Sequence, residues 1–225
     1  MLENIAHQWR QPLSVISTAA SGIKMQKELN VLTDEHFQHS IKGILNNTNH
    51  LSQTIDDFRD FFKHTKQKEI FDLKDITHKL LSLVNPKLKT KNIAIIEDSI
   101  SIDILGLKSE LLQVLMNLIN NSIDALESEN IDLKLIFIDI SKENDYAVIK
   151  IKDNANGIPE DIVKRVFEPY FTTKHKSQGT GIGLYMSQEI ITKHLEGSIE
   201  INNINFTYEN KHYVGAQFII KLPMQ

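Results

Sequence analysis

Residues 34–64 carry the clearest periodicity in the chain. Phe37, Ile41, Ile44, Thr48, Leu51, Ile55, Phe58 and Phe62 recur at alternating intervals of four and three, the spacing of a heptad seam along one long helix. A related stripe runs through Leu2, Ile5, Trp9, Leu13, Ile16, Ala20 and Ile23, and Asn30 to Thr33 offers a turn between the two. Two such helices form an antiparallel hairpin whose narrow seams cannot be covered within one chain. Pairing two hairpins into a four-helix bundle covers them, so a homodimer is expected. The alternative is a hairpin packed on the second domain of its own chain.

The polar, lysine-rich stretch from Lys63 to Glu69 ends this pattern. It divides the chain into residues 1–66, a dimerising helical domain, and residues 67–225, a domain of mixed patterning. Asp72 can cap a helix that begins at Leu73, carries Ile76, Leu80, Leu83 and Val84, and ends near Pro86. Ile93 to Glu97 reads as a strand, and a second helix follows Ser109. Leu133 to Ser141 and Tyr146 to Lys152 alternate with period two and are joined by Lys142-Glu143-Asn144-Asp145, a hairpin signal. A third helix is expected from Ile182 to Leu195, stopping at Gly197, with strands at Ser198 to Asn202 and Ala216 to Leu222. The fold class is therefore α+β: a helical hairpin followed by an α/β sandwich with a mostly antiparallel sheet.

Composition narrows the choice of partners. Hydrophobic residues make up 41% and charged residues 24%, which suits a globular protein with a real core. A formal net charge of −4 gives no basis for nucleic-acid binding. There is no cysteine, which excludes disulfides and thiolate metal sites and fits a reducing compartment. No apolar run approaches the length of a membrane span, so this segment is expected to be cytoplasmic and without membrane contact. Met1 stands only six residues before His7, inside a helical pattern. That suggests a fragment of a longer protein, whose missing upstream part could hold a membrane anchor.

Three segments of the second domain point to one chemistry. Asn117 and Asn121 lie four apart on one face of an otherwise apolar helix. A carboxamide oxygen suits Mg²⁺, which keeps several waters and borrows phosphate oxygens; a polar solvent face is the plain alternative. Asp153-Asn-Ala-Asn-Gly157-Ile-Pro159 follows a strand. There a carboxylate can accept a hydrogen bond from an exocyclic amine such as that of adenine, although an ordinary turn has the same composition. Gly179-Thr180-Gly181-Ile-Gly183-Leu184 opens the third helix. Its bare N–H groups and the helix N-terminus together make a phosphate cradle. Lys174, His175 and Lys176 precede it in a polar, basic stretch suited to a lid over phosphates.

The order of these segments resembles the ATP-binding domain of sensor histidine kinases, a fold shared with gyrase-type ATPases and related chaperones. Gln113 to Ala125 resembles the N box, Asp153 to Pro159 the G1 box, Phe167-Glu-Pro-Tyr-Phe-Thr-Thr-Lys174 the F box, and Gly179 to Leu184 the G2 box. The resemblance implies Mg²⁺ on Asn121 and adenine read by Asp153. Nucleotide contacts are implied at Asn117, Gly157, Lys174, Gly179, Thr180, Gly181, Gly183 and Leu184. Ala155 and Glu196 stand where the family commonly has glycine.

His7 falls about 160° from the centre of the apolar stripe on a helical wheel and points to water. Taken alone, such a histidine is a solvated surface residue. However, His7-Gln-Trp-Arg-Gln-Pro12-Leu resembles the H box, in which the histidine accepts phosphate and proline follows five residues later. Pro12 is expected to bend the helix just after His7. Gln8 replaces the acidic residue that many members carry; it cannot act as a base but can fix the imidazole tautomer. Arg10 matches the motif, and Gln11 stands where relatives often have Thr or Asn. His36 and His39 could share a metal but also read as surface side chains.

The resemblance implies a kinase that phosphorylates His7 from ATP·Mg²⁺ and passes the phosphoryl group to an aspartate of a response-regulator receiver domain. One alternative is a nucleotide-gated dimeric scaffold with little phosphotransfer, for which Gln8 and Ala155 are the support. Another is a gyrase-like or chaperone-like ATPase, against which the heptad helices and the His7 segment argue.

Overall fold

The computed structural model describes residues 2–62, 67–173 and 181–224, with the side chains of 2–11, 50 and 53–62 outside that description. The chain divides into two compact units. The first holds α1 (Leu2–Glu28) and α2 (Asp34–Phe62). Asn30 takes a left-handed φ of 55° at the turn, and Val31 N–H closes α1 on the Gln26 carbonyl at 2.9 Å. Thr33 then caps α2 through its hydroxyl, which accepts from His36 N–H at 3.2 Å. α1 continues through Pro12 as one helix.

Of the described side chains in this hairpin only Pro12 is buried. Ile16, Ile23, Ile41, Ile44 and Leu51 of the seams are half-buried. Leu13, Met25, Leu29, Val31 and Leu45 are more than half exposed. A single hairpin therefore leaves much of its apolar surface uncovered, as its narrow seams predict.

The second unit begins with β1 (Glu69–Asp72), α3 (Leu73–Thr90), β2 (Ile93–Ser99), β3 (Asp103–Gly106) and α4 (Lys108–Ser128). There follow β4 (Lys134–Glu143), β5 (Tyr146–Asp153), the short α5 (Glu160–Val163) and α6 (Gly183–Glu189) with a π-helical continuation Ile190–His194. β6 (Ser198–Tyr208) and β7 (Lys211–Pro223) close the chain. Five strands form one sheet in the order β2-β4-β5-β7-β6. Only β2–β4 is parallel, so the sheet is mostly antiparallel, as expected. β1 and β3 make a separate antiparallel pair. Ala147, Ile149, Ile151 and Asp153 alternate along β5 onto one buried face. Leu111, Leu118, Ile119 and Ile123 of α4 are fully buried, and α4 contacts β5, α3 and the π-helical segment.

Asp72 caps α3 as expected, accepting from Lys74 N–H at 2.8 Å. The helix does not end near Pro86; it runs on to Thr90. The ring removes one helical hydrogen bond, and burial of Leu88 in the following turn offsets that loss. Leu83, placed on the apolar face by pattern, is exposed, whereas Val84 is buried.

The third helix is α-helical only to Glu189 and then widens. Leu195 N–H bonds to the Ile190 carbonyl at 3.0 Å. This wider turn buries Ile190, Ile191 and Leu195 together and sets His194 Nδ1 2.7 Å from Glu110 Oε2 at the start of α4. The final strands are much longer than their apolar cores suggested. Glu209 and Asn210, left-handed at φ 47° and 61°, join them in a tight hairpin.

Candidate functional site

α4 is the spine of the site. It buries Leu111, Val114, Leu115, Leu118 and Ile119, and Asn117, Asn121 and Ser122 interrupt the apolar pattern in its middle. Asn117 Nδ2 donates to Ser187 Oγ at 2.9 Å, and Ser187 in turn donates to the Gly183 carbonyl at 3.0 Å. A side chain at Gly183 would stand 2.5 Å from Asn117 Oδ1. Asn117 and Gly183 are thus brought together, and the glycine leaves room for the carboxamide. Asn121 is half-buried one turn further along and has no hydrogen-bond partner among the described residues. Its neighbour Asn120 faces away, accepting from Lys87 Nζ at 2.9 Å.

Ser122 reaches the other flank of the site, where its hydroxyl donates to Asp153 Oδ2 at 2.9 Å. Asp153 ends β5 and is 3% exposed. Its Oδ1 accepts from Ala155 N–H at 3.1 Å and Ala216 N–H at 3.3 Å. Burial pushes this carboxyl above the usual aspartate value, and the bonds from Ala155, Ser122 and Ala216 hold part of that rise back. An ionised carboxylate offers two acceptor sites per oxygen. Oδ1 is fully used, and among the described residues Oδ2 accepts only from Ser122, which leaves it a second acceptor site.

The loop after Asp153 is pinned on several sides. Asn154 is buried and bridges Leu135 N–H and the Leu133 carbonyl, both at 2.8 Å. Asn156 and Gly157 are left-handed at φ 59° and 79°, whereas Ala155 is not, so its methyl sits buried without backbone strain. The family's glycine is not needed at this position. Glu196, the other such departure, does take the left-handed φ of 56° that favours glycine. Its carboxylate meets Lys68 Nζ at 2.8 Å.

Gly181, with φ 64°, lies against the backbone of Tyr170, whose N–H donates to the Gly181 carbonyl at 2.8 Å. The F-box and G2-box segments are therefore joined there. Leu184 opens α6 next to Gly183. Lys174, Gly179 and Thr180 lie outside the described residues. His7, Gln8, Arg10 and Gln11 fall within the backbone of α1, and the outward orientation expected for His7 lies outside the described side chains. Sequence reasoning missed Ser122, Asn154, Ser187 and Asn203. Each acts only through a residue that the fold brings next to it.

The family model for the histidine kinase-, DNA gyrase B- and HSP90-like ATPases matches residues 106–225, and that of the His Kinase A phospho-acceptor domain matches residues 1–67. The chain belongs to the sensor histidine kinase family. A probable C4-dicarboxylate sensor kinase of Halalkalibacterium halodurans is 37% identical over 114 residues, which covers 51% of this chain and 20% of that protein. The catalytic domain of histidine kinase ThkA has a TM-score of 0.58 at 26% identity, covering 70% of this chain and 95% of that one. Histidine kinase ThkA in complex with the response regulator protein TrrA shares the fold, with a TM-score of 0.67 at 23% identity over 100% of this chain and 61% of that one.

The chain spans 20%, 26% and 33% of the length of three curated relatives that it matches. Within this histidine kinase segment, Asn117, Asn121, Asp153, Gly157, Gly181 and Gly183 all lie in the ATPase match, and His7 lies in the phospho-acceptor match. Among the described residues no helix is long and apolar enough to cross a membrane, and no group of three or more His, Cys, Asp or Glu could hold a metal ion.

Proposed function

We propose that this chain is the catalytic core of a protein-histidine kinase that phosphorylates its own His7 from ATP and passes the phosphoryl group to an aspartate of a response-regulator receiver domain. The observation that carries this reading is the presence, in one chain, of a phospho-acceptor segment and an ATPase segment whose site residues are held together as described.

The residues fit a nucleotide. The lone pair left on Asp153 Oδ2 suits the exocyclic amine of adenine. Gly181 and Gly183 keep side chains away from the opening of α6, where backbone N–H groups attract phosphate. Asn121 offers the half-buried carboxamide that would hold Mg²⁺, with Lys174, Gly179 and Thr180 completing the phosphate side and Gly157 and Leu184 bordering the site. When bound, ATP·Mg²⁺ would supply the transferable phosphoryl group and neutralise its charge. His7 acts as the nucleophile through a neutral imidazole nitrogen. Gln8 cannot take up a proton as an acidic residue would, but a carboxamide can accept an imidazole N–H; Arg10 and Gln11 belong to the same motif. The exposed seam residues of the hairpin support a homodimer through a four-helix bundle.

The test is incubation with γ-labelled ATP and Mg²⁺, followed by intact mass spectrometry. One acid-labile phosphate is expected on the wild-type chain and none on His7→Ala, with nucleotide binding retained. Labelling that persists in His7→Ala refutes the assignment. ATP binding with no phosphohistidine in either protein indicates the scaffold reading. That reading loses one of its supports, because Ala155 is accommodated without strain.

A further inference from the structure

Asn203 lies on β6, 45 residues from the loop that follows Asp153. Its Oδ1 accepts from Ile158 N–H at 2.7 Å, and its Nδ2 donates to the Ile158 carbonyl at 2.6 Å. One carboxamide thus pairs with both backbone groups of a single loop residue, as a neighbouring strand would. A second tie runs from Asn156 N–H to the Val214 carbonyl at 3.2 Å. Gly157 between them is matched to the same clamp, since a side chain there would stand 2.7 Å from Asn203 Oδ1.

The sheet itself does not need this side chain. The last β5–β7 pair is Lys152 with Gln217, and Asn203 pairs with Ala216 just beyond it, where β6 and β7 continue as a two-stranded ribbon. The ribbon is a firm base. Phe206 packs edge-on against Phe137 of β4 at 5.4 Å, and Lys152 Nζ stands 4.4 Å and 4.2 Å from those two rings.

We infer that Asn203 is a positioning residue of the nucleotide site: by clamping Ile158 it holds residues 154–159 in the shape that accepts the adenine ring beside Asp153. This rests on the reading of Asp153 as the base-recognising carboxylate. A rigid outer partner matters here because the loop carries two left-handed residues in succession, and Asn203 holds Ile158, which lies beyond the ties at Asn154 and Asn156.

The experiment measures binding of ATP and of inorganic tripolyphosphate to the full chain by calorimetry. It compares wild type, Asn203→Ala, Asn203→Asp and Asp153→Asn. Loss of two neutral hydrogen bonds from the loop is expected to weaken ATP binding about tenfold in Asn203→Ala, with tripolyphosphate binding unchanged. Asn203→Asp keeps the acceptor but not the donor and is expected to lie between wild type and Asn203→Ala. Backbone amides at 156–158 should exchange faster in Asn203→Ala, by a larger factor than those in the centre of the sheet. Equal weakening of both ligands, or unchanged ATP binding while Asp153→Asn weakens it, overturns the inference alone. Unchanged ATP binding in Asp153→Asn overturns the site reading and the inference together.

Discussion

Gly215 provides a demanding test of how the site is held. It lies on β7 just past the last pair with β5. A side chain there would fall on the Asp153 carbonyl oxygen, 2.7 Å from the Asp153 carbonyl carbon and 3.2 Å from Asn154 Cα. All three are backbone atoms, so no rotamer change relieves the clash. In Gly215→Ala the strand ends must part, and overpacking of this kind costs about 1–3 kcal/mol. The separation also breaks two bonds, from Ala216 N–H to Asp153 Oδ1 at 3.3 Å and from Asn156 N–H to the Val214 carbonyl at 3.2 Å. Each is worth about 1 kcal/mol. The expected loss is roughly 3–5 kcal/mol, a large part of the total for an ordinary domain.

The assay is urea unfolding followed by far-ultraviolet circular dichroism, with the slope checked for constancy. ATP binding should fall as well, because Asp153 moves with the strand end. Gly43→Ala is the control: nothing lies within 4 Å of a side chain there, in the middle of α2, so it should be neutral or stabilising by up to about 1 kcal/mol. A Gly215→Ala protein that loses less than about 1 kcal/mol and binds ATP normally refutes the close approach of β7 to Asp153.

Two other substitutions probe the flanks. Gly183→Ala would meet only the far end of the Asn117 side chain, which can swing away. Stability should fall by no more than about 1 kcal/mol through loss of the Asn117–Ser187 bond, while calorimetry should show weaker binding of ATP and tripolyphosphate alike; unchanged binding removes the α6 opening from the phosphate site. Asp153→Asn should stabilise the ligand-free protein. Burial raises the folded-state pKa of Asp153, so the folded state holds the proton more tightly and stability is lost as pH rises through the folded value. The variant's advantage should be absent at pH values below the ordinary aspartate pKa, grow above it and then level off. An advantage that is flat with pH, read from thermal melts across a pH series, counts against the buried, desolvated carboxylate.

Much of the architecture is legible in local pattern. The α2 heptads, the Asp72 cap and the β4–β5 hairpin all follow from spacing and turn chemistry. The β6–β7 extension escaped because its turn, Glu209-Asn210, is left-handed without a glycine. β1 and β3 escaped because four residues are too few to show a period. In the site, Asp153, Gly157, Gly181 and Gly183 announce themselves through glycine spacing and a strand-end carboxylate. The residues that hold them do not. Asn203 and Gly215 read as a polar strand residue and an isolated glycine, and only the register of β6 on β7, and of β7 on β5, shows what they face.

The Asp153 carboxylate also bears on why the site belongs where it does. A fold selected for stability alone has no use for a carboxyl group that is 3% exposed and has no cation beside it among the described residues. Two backbone N–H groups and one hydroxyl are a set that an asparagine could satisfy equally well, with the Ser122 hydroxyl turned to accept. What asparagine cannot supply is the second acceptor site on the outer oxygen, since its nitrogen can only donate. The cost in stability and the second acceptor site are therefore one fact seen from two sides. On the function proposed above, the outer oxygen keeps that second site for the exocyclic amine of a flat ring beside Gly157.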